Sequence, residues 1–243
     1  TVFNNALYFS AFDGGAAGAF GTELWRYDGT TVSRVADINP GNLSSSPSGL
    51  TVFNNALYFL AFEPTFGSEL WRYDGTTISR ITDINPGTGS STPFNFTIYN
   101  SALYFSATDA ATAGTFGREL WRWDGSTVTR ISDINPGTAS SSPGNLMAFG
   151  GFLYFTATNA VSGTELWRYN GSTVSQVTEI NAGAASSSPF NLTAFNGALY
   201  FTATDAVSGT ELWRYANPVL TRISDINPNA GSSSPTNLTV FNN

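Results

Sequence analysis

Residues 1–9 read T-V-F-N-N-A-L-Y-F, and the same nine residues return at 51–59. Altered copies begin at Thr97, Met147 and Thr193. These copies divide the 243 residues into repeat units 1–50, 51–96, 97–146, 147–192 and 193–238, followed by a stub at 239–243 that repeats only T-V-F-N-N. Self-similarity at a fixed period of this length is the signature of a repeat architecture. The whole chain is therefore predicted to form one domain, residues 1–243.

Each unit contains four segments with the composition of short β-strands. In the second unit they cover residues 50–54, 56–62, 69–73 and 77–84, which are rich in β-branched and aromatic side chains. Asn54-Asn55 and Asp74-Gly75 separate the paired segments and tolerate the positive φ angles of tight hairpins. Four strands per unit is the pattern of β-propeller blades. The sequence predicts an all-β, five-bladed β-propeller with four antiparallel strands per blade.

The number of first strands bears on how the ring closes. Five blades need five copies of this strand, whereas the chain carries a sixth at its C-terminal end. The C-terminal copy has a lead-in, Ser234-Pro235-Thr236-Asn237-Leu238, that the N-terminal copy lacks. We therefore expect residues 237–243 to pair with the first blade, so that the ring is closed by strand exchange between the termini. The alternative is a longer array of which these units are a part.

Composition excludes several classes of function. Seventeen acidic residues against ten arginines give a net charge of -7, which opposes binding to nucleic acid. The chain has no Lys, His or Cys, so Schiff-base, imidazole and thiol catalysis lack their side chains. No apolar run is long enough to insert into a membrane. We expect a protein that is not an enzyme, needs no cofactor and is extracellular or on the cell surface, because a lysine-free, Ser/Thr/Asn-rich composition suits that location.

The acidic residues do not form a predicted catalytic or metal site. The strands expected to line the propeller channel contain no Asp or Glu, which argues against a glycosidase with paired carboxylates. Glu-Leu-Trp-Arg recurs in every unit, which favours packing between blades. A two-residue turn at Asp28-Gly29 would place Trp25 opposite Val32 and Glu23 opposite Arg34. Arg26 and its equivalents are candidate partners for Asp37 and its equivalents, and a Ca²⁺ site using Asp13, Asp109 or Asp205 stays open.

The candidate ligand-binding residues lie in the longer connections, which fall at one end of every blade. Phe20, Phe66 and Phe116 each precede a glycine between the second and third strands. They either stack against a ligand or fold back as caps over the blade. The connections to the next unit contribute polar residues that either bind sugar hydroxyls or satisfy local backbone groups, namely Asn42, Ser45, Ser91, Ser141, Ser187 and Ser233.

The repeated motif resembles a known family. Residues 23–30 read E-L-W-R-Y-D-G-T, and 69–76 repeat this octapeptide. It is similar to the Glu-Leu-Trp-x-x-Asp-Gly-Thr repeat found in tandem in large bacterial surface and secreted proteins, many of them adhesin-like. The later units depart from it, with Asn170-Gly171-Ser172 in the fourth and Ala216-Asn217-Pro218 in the fifth. In blade number the chain is also similar to the tachylectin-type five-bladed lectins, although no motif is shared.

The leading hypothesis from the sequence is a non-catalytic, extracellular module that binds carbohydrate through several shallow sites on the loop-rich face. Its partners would be glycans or cell-surface polymers, and multivalency would raise the avidity of weak sites. The alternative is a structural spacer or a protein–protein assembly unit of a bacterial surface protein, binding other copies of itself.

Overall fold

The computed structural model describes residues 1–14, 20–109, 117–223 and 225–241. Within those ranges the strands form five antiparallel sheets of four strands each, which confirms the sheet content of a five-bladed β-propeller. The chain divides into two compact units, Thr1–Arg130 with the first three sheets and Ile131–Asn243 with the last two. No helix in the described ranges is long and apolar enough to cross a membrane.

Sheets and strands are numbered in chain order, with four consecutive strands in each sheet. The first sheet comprises β1 (Val2–Phe3), β2 (Ala6–Asp13), β3 (Gly21–Tyr27) and β4 (Val32–Arg34). The second comprises β5 (Ser48–Phe53), β6 (Ala56–Glu63), β7 (Gly67–Tyr73) and β8 (Ile78–Arg80). The third comprises β9 (Phe94–Tyr99), β10 (Ala102–Asp109), β11 (Gly117–Trp123) and β12 (Val128–Arg130). The fourth comprises β13 (Gly144–Phe149), β14 (Phe152–Asn159), β15 (Gly163–Tyr169) and β16 (Val174–Thr178), and the fifth β17 (Phe190–Phe195), β18 (Ala198–Asp205), β19 (Gly209–Ala216) and β20 (Val219–Arg222).

The turn between the first two strands of a sheet follows the sequence prediction. Asn54 and Asn55 have φ angles of 44° and 53°, the conformation that a two-residue hairpin requires. The fourth strand is shorter than predicted, because β8 ends at Arg80 and not at Ile84. One further backbone bond, from Ile81 N–H to the Leu70 carbonyl at 2.8 Å, follows it before the chain leaves the sheet.

The turn between the third and fourth strands differs from the prediction. Asp28 accepts three hydrogen bonds on Oδ1, from the backbone N–H groups of Thr30 and Thr31 and from the Thr30 hydroxyl, so the loop spans residues 28–31. This longer loop shifts the register: Trp25 lies opposite Arg34, and Tyr27 lies opposite Val32. The predicted pairing of Glu23 with Arg34 is therefore wrong. The side chain of Asp28, which the sequence assigned only to the turn, is what sets the loop length.

The hydrophobic core lies between consecutive sheets. In the first compact unit, Leu57, Phe59 and Ala61 of the second sheet are buried against Phe3, Tyr8, Leu24 and Ile38 of the first. In the second compact unit, Leu199, Phe201 and Ala203 of the fifth sheet cluster with Tyr154 and Leu166 of the fourth. Both faces of an inner sheet are thus apolar, which explains the adjacent apolar residues in the second strand of every unit.

The two terminal copies of the first strand differ in structure. The first strand of the first sheet is the N-terminal copy, β1, which pairs with β2 through Val2–Leu7 and Phe3–Ala6. Residues 231–241 form no strand. Pairing of residues 237–243 with the first sheet, and with it closure by strand exchange between the termini, stays a prediction, because the two termini belong to different compact units. Thr1–Phe3 reaches β2 through a two-residue turn, so this hairpin forms at little entropic cost.

Candidate functional site

The predicted aromatic contacts on the loop-rich face are covered by arginine. The Arg34 guanidinium carbon lies 3.2 Å from the ring centroid of Phe20, and that of Arg80 lies 3.4 Å from Phe66. A phenyl face occupied by a cation of its own sheet is not open to a ligand. Phe20 and Phe66 are therefore caps, the second of the two alternatives that the sequence left open. Phe116 lies outside the described residues.

The predicted serine contacts are hydrogen-bonded inside the protein. Ser45, Ser91, Ser141 and Ser187 are fully buried, and the partly buried Ser233 donates its hydroxyl hydrogen to Glu211 at 2.6 Å. Only Asn42 of the predicted polar residues is exposed. Buried hydroxyls that already have acceptors cannot reach a sugar, so these serines have the structural role that the sequence left as an alternative.

A buried glutamate joins each third strand to the connection that follows. Glu23 Oε2 accepts hydrogen bonds from the Ser45 hydroxyl at 2.5 Å and from Ile38 N–H at 3.2 Å, while Oε1 accepts from Ser45 N–H at 2.9 Å. Glu69 and Glu165 make the same contacts in their units, and burial raises the pKa of both carboxyl groups. Sequence analysis missed this role, although the constant spacing of Glu and Ser was a usable signal.

The other acidic residues are paired locally. Asp37, Asp83 and Asp225 each lie 3.7 to 3.8 Å from the arginine three residues earlier. Of their expected partners, Arg26, Arg72 and Arg122 contact the aspartates of their own turns instead, as Arg72 does with Asp74 at 3.2 Å. The hydrogen bonds from the Thr31 and Thr30 backbone and hydroxyl lower the pKa of Asp28 to about 2. Ion pairs and hydrogen bonds within their own units therefore hold these carboxylates in place.

The described acidic side chains do not group as metal ligands. Across the described ranges, no three acidic residues lie together as metal ligands would. Asp205, a candidate for Ca²⁺, accepts hydrogen bonds on Oδ1 from Val207 N–H and Ser208 N–H of its own turn. The predicted residues therefore do not converge on one site.

An exposed apolar row lies on the first sheet instead. Val2, Leu7, Tyr27 and Val32 are consecutive partners across its four strands and all face the same side. We call these four residues the first-sheet row. Their equivalents in the second sheet, Val52, Leu57, Tyr73 and Ile78, pack against the first sheet. Leu57 is 0% exposed, whereas Leu7 is 45% exposed.

A second apolar surface lies on the fifth sheet and comprises Phe195, Tyr200, Leu212, Ile223 and Ile226, the fifth-sheet face. The equivalent residues of the first sheet are covered by the second sheet. Ile226 is 64% exposed, and its equivalent Ile38 only 8%. A cavity of about 320 Å³ opens on this face, bounded on its other side by Leu238, Val240 and Phe241. Large exposed apolar patches mark interaction surfaces.

Comparison with known proteins bears on the fold. No protein-family model and no curated protein matches the sequence. Among solved structures, the chain is similar to the Pyrococcus horikoshii acylaminoacyl peptidase, with a TM-score of 0.53 and 11% identity. The match covers 85% of this chain and 31% of that one. A Mycobacterium tuberculosis puromycin-hydrolyzing peptidase gives a TM-score of 0.56 at 11% identity, covering 92% of this chain and 38% of that one. The β-propeller domain of the Trilobed protease from Pyrococcus furiosus gives a TM-score of 0.51 at 10% identity. The match covers 90% of this chain and 67% of that one.

These similarities correct the functional hypothesis. The chain spans about a third of the length of the first peptidases it matches, and the similar structures belong to peptidases and not to lectins. Multivalent carbohydrate binding through the loop-rich face is therefore wrong. The physical reason is local: on that face arginine covers the rings of Phe20 and Phe66, and the predicted serines are turned into the protein.

Proposed function

We propose that this chain is a non-catalytic β-propeller module that associates with a second copy of itself. The first-sheet row of one copy would pack against the fifth-sheet face of the next. The observation that carries this proposal is that the first-sheet row is exposed, while at the same four positions of the second sheet Leu57 is fully buried and the other three residues are partly buried against the first sheet.

The two surfaces are complementary because the units are repeats. Within the chain, Leu57 and its row pack against Phe3, Tyr8, Leu24 and Ile38. The fifth-sheet face carries Phe195, Tyr200, Leu212 and Ile226 at those positions. A sheet presenting Val2, Leu7, Tyr27 and Val32 would find there almost the same side chains that the second sheet finds on the first. Burying such side chains is worth about 1.5 to 3 kcal/mol each.

The extra copy of the first strand fits this arrangement. Leu238 and Val240 lie beside the fifth-sheet face, as their equivalents Leu50 and Val52 lie beside the first sheet. An incoming first sheet brings β1 to the same place. Residues 237–241 would replace β1, which is held by the pairs Val2–Leu7 and Phe3–Ala6 and by two backbone hydrogen bonds between Thr1 and Tyr8.

Net charge sets the expected salt dependence. Two copies each carrying a charge of -7 repel one another at low ionic strength. Salt screens this repulsion and leaves apolar burial little affected. Association should therefore strengthen between about 10 mM and 150 mM salt, the reverse of an interface held by ion pairs.

Sedimentation velocity from about 1 to 100 µM protein tests the proposal, a span in which micromolar affinities are visible. A contact between two different surfaces leaves one of each unused, so the wild-type chain should form oligomers beyond the dimer. Leu7→Glu and Ile226→Glu should each abolish association, because a carboxylate would be buried without a partner. Val207→Glu, at an exposed loop position on neither surface, is the matched control.

Mixing the two variants separates this interface from a general effect of charge. Leu7→Glu keeps an intact fifth-sheet face, and Ile226→Glu keeps an intact first-sheet row. An equimolar mixture should form dimers and nothing larger. A wild-type chain that stays monomeric at every concentration, or a mixture that does not dimerise, would overturn the proposal.

A further inference from the structure

A second cavity lies between the fourth and fifth sheets, at the end of the blades that carries the tight turns. It has a volume of about 410 Å³, within the range of small-molecule sites. Phe149 and Phe152 come from the first turn of the fourth unit, and Ala216 and Asn217 from the last turn of the fifth. The cavity lies wholly within the compact unit Ile131–Asn243.

Departures from the repeat create this cavity. Gly150 stands where the other units have Asn4, Asn54, Asn100 and Asn196. In the first unit the Asn4 amide lies 3.2 Å from the Cβ position of Gly75, in the turn of the next sheet. Gly150 has no such side chain, and nothing lies within 4 Å of its Cβ position. The missing amide leaves the space open over Asn217.

Aromatic rings form the walls. Phe152 replaces the alanine that occupies this position in every other unit. Its ring centroid lies 5.9 Å from that of Tyr154, and Tyr154 meets Tyr215 edge to face at 6.1 Å. Such a wall accepts the flat apolar face of a ring.

Arg168, which forms no ion pair with any carboxylate of the described residues, lies against these walls. Arg26, Arg72 and Arg122 each pair with the aspartate of their own turn. In the fourth unit that residue is Asn170, which is neutral. Arg168 instead donates from Nη1 to Asn217 Oδ1 at 3.1 Å and to the Tyr215 hydroxyl at 3.3 Å, and its guanidinium carbon lies 4.7 Å from the Phe152 ring centroid. No carboxylate within the described ranges therefore pairs with its positive charge beside the cavity.

We propose that this cavity is a binding site for a small aromatic carboxylate. The ring would lie against Phe149, Phe152 and Tyr215, and the carboxylate would replace Asn217 Oδ1 as an acceptor from Arg168. Arginine suits this role because its guanidinium matches a carboxylate in geometry and charge. The site is independent of the surfaces proposed for self-association.

Calorimetry with N-acetyl-L-phenylalanine, and with its neutral primary amide as the matched ligand, tests the proposal. A ligand of this size that fits well should bind with a dissociation constant of about 1 mM. The amide should bind about tenfold more weakly or worse, since it cannot form the charge-assisted bond. Equal affinity for acid and amide would overturn the assignment of Arg168, and no heat of binding for either ligand would overturn the site.

Two substitutions that restore the repeat provide variants that fold. Gly150→Asn introduces the side chain that the other units have at this position. Gly150 has a φ of 56°, and the equivalent asparagines also have a positive φ, of 44°. Asn170→Asp restores the carboxylate partner of Arg168, and the turn contacts are the same for both residues. Each should weaken binding of the acid about tenfold or more, while Arg214→Gln, at the equivalent position of the fifth unit, should not. Unchanged affinity in Gly150→Asn would place the ligand elsewhere.

Discussion

The glutamate of each Glu-Leu-Trp-Arg motif lies where a third strand passes the connection to the next unit. Glu69 accepts four hydrogen bonds, from the Ser91 hydroxyl and N–H, the Thr82 hydroxyl and Ile84 N–H, at 2.7 to 3.4 Å. No part of this side chain is exposed. A single residue thereby fixes a long connection that has no regular secondary structure of its own.

Glu69→Gln should lower stability by about 1 to 3 kcal/mol at pH 4, because the amide N–H₂ cannot accept from the donors that face it. Burial raises the pKa of Glu69 in the folded protein above its value in the unfolded chain. Proton binding to Glu69 therefore stabilises the folded state fully below the unfolded pKa of about 4.3. This stabilisation is lost as the pH rises through the folded pKa. The difference in the free energy of unfolding between wild type and variant should therefore become smaller toward neutral pH.

Urea unfolding of both proteins between pH 4 and 8 measures this gap. Glu179→Gln, at an exposed position, serves as the control for general charge effects. A gap that widens with pH would mean that the hydrogen bonds from Ser91 and Thr82 stabilise the ionised carboxylate more than burial opposes it.

At the scale of the element, the connection between the second and third strands is held by an aromatic cap. Phe66 lies under Arg80 of β8, so the cap ties this loop to the outermost strand of its sheet. The fourth unit changes both partners together: Ser162 replaces the phenylalanine, and its hydroxyl lies 3.2 Å from Oε1 of Gln176, which replaces the arginine. The fifth unit keeps the arginine, Arg222, beside Ser208, so the serine occurs with either partner.

The double variant Phe66→Ser/Arg80→Gln should therefore be more stable than the sum of its single changes predicts. A cation–π contact of this kind contributes about 0.5 to 2 kcal/mol, and each single change removes it completely. Chemical unfolding of the four proteins of a double-mutant cycle gives the coupling energy. Additivity to within about 0.3 kcal/mol would mean that the ring contributes only its apolar area.

At the scale of the whole molecule, the C-terminal segment covers part of the fifth sheet. Leu238 and Val240 line the cavity beside Tyr200 and Leu212, and the Thr202 hydroxyl donates to the Pro235 carbonyl at 2.7 Å. These contacts belong to the compact unit Ile131–Asn243, the unit with fewer sheets to share its core.

Deletion of residues 237–243 should lower the melting temperature by several degrees, because about 1 to 3 kcal/mol of apolar burial is removed. Differential scanning calorimetry measures the shift. Leu238→Ser/Val240→Ser, which keeps the chain length, should reproduce it, and Thr239→Ser should not. An unchanged melting temperature in the truncated chain would show that the stub adds nothing to the fifth sheet.

The sequence by itself determined the repeat, the strands and the first turn. The nine residues at 1–9 recur with a period typical of sheets of four strands, and Asn4-Asn5, residues that tolerate positive φ, has the φ angles of a tight hairpin. These features are local, so propensity and periodicity suffice to predict them.

Only the tertiary structure decided which side chains are available to a partner. Ser45 and Phe20 have the composition of a ligand site, yet one is buried on Glu23 and the other covered by Arg34. Leu7 and Leu57 are identical in sequence context, yet one is exposed and the other is core. Exposure depends on which sheet lies in front of a residue, and that neighbour comes from another unit of the chain, so no local pattern encodes it.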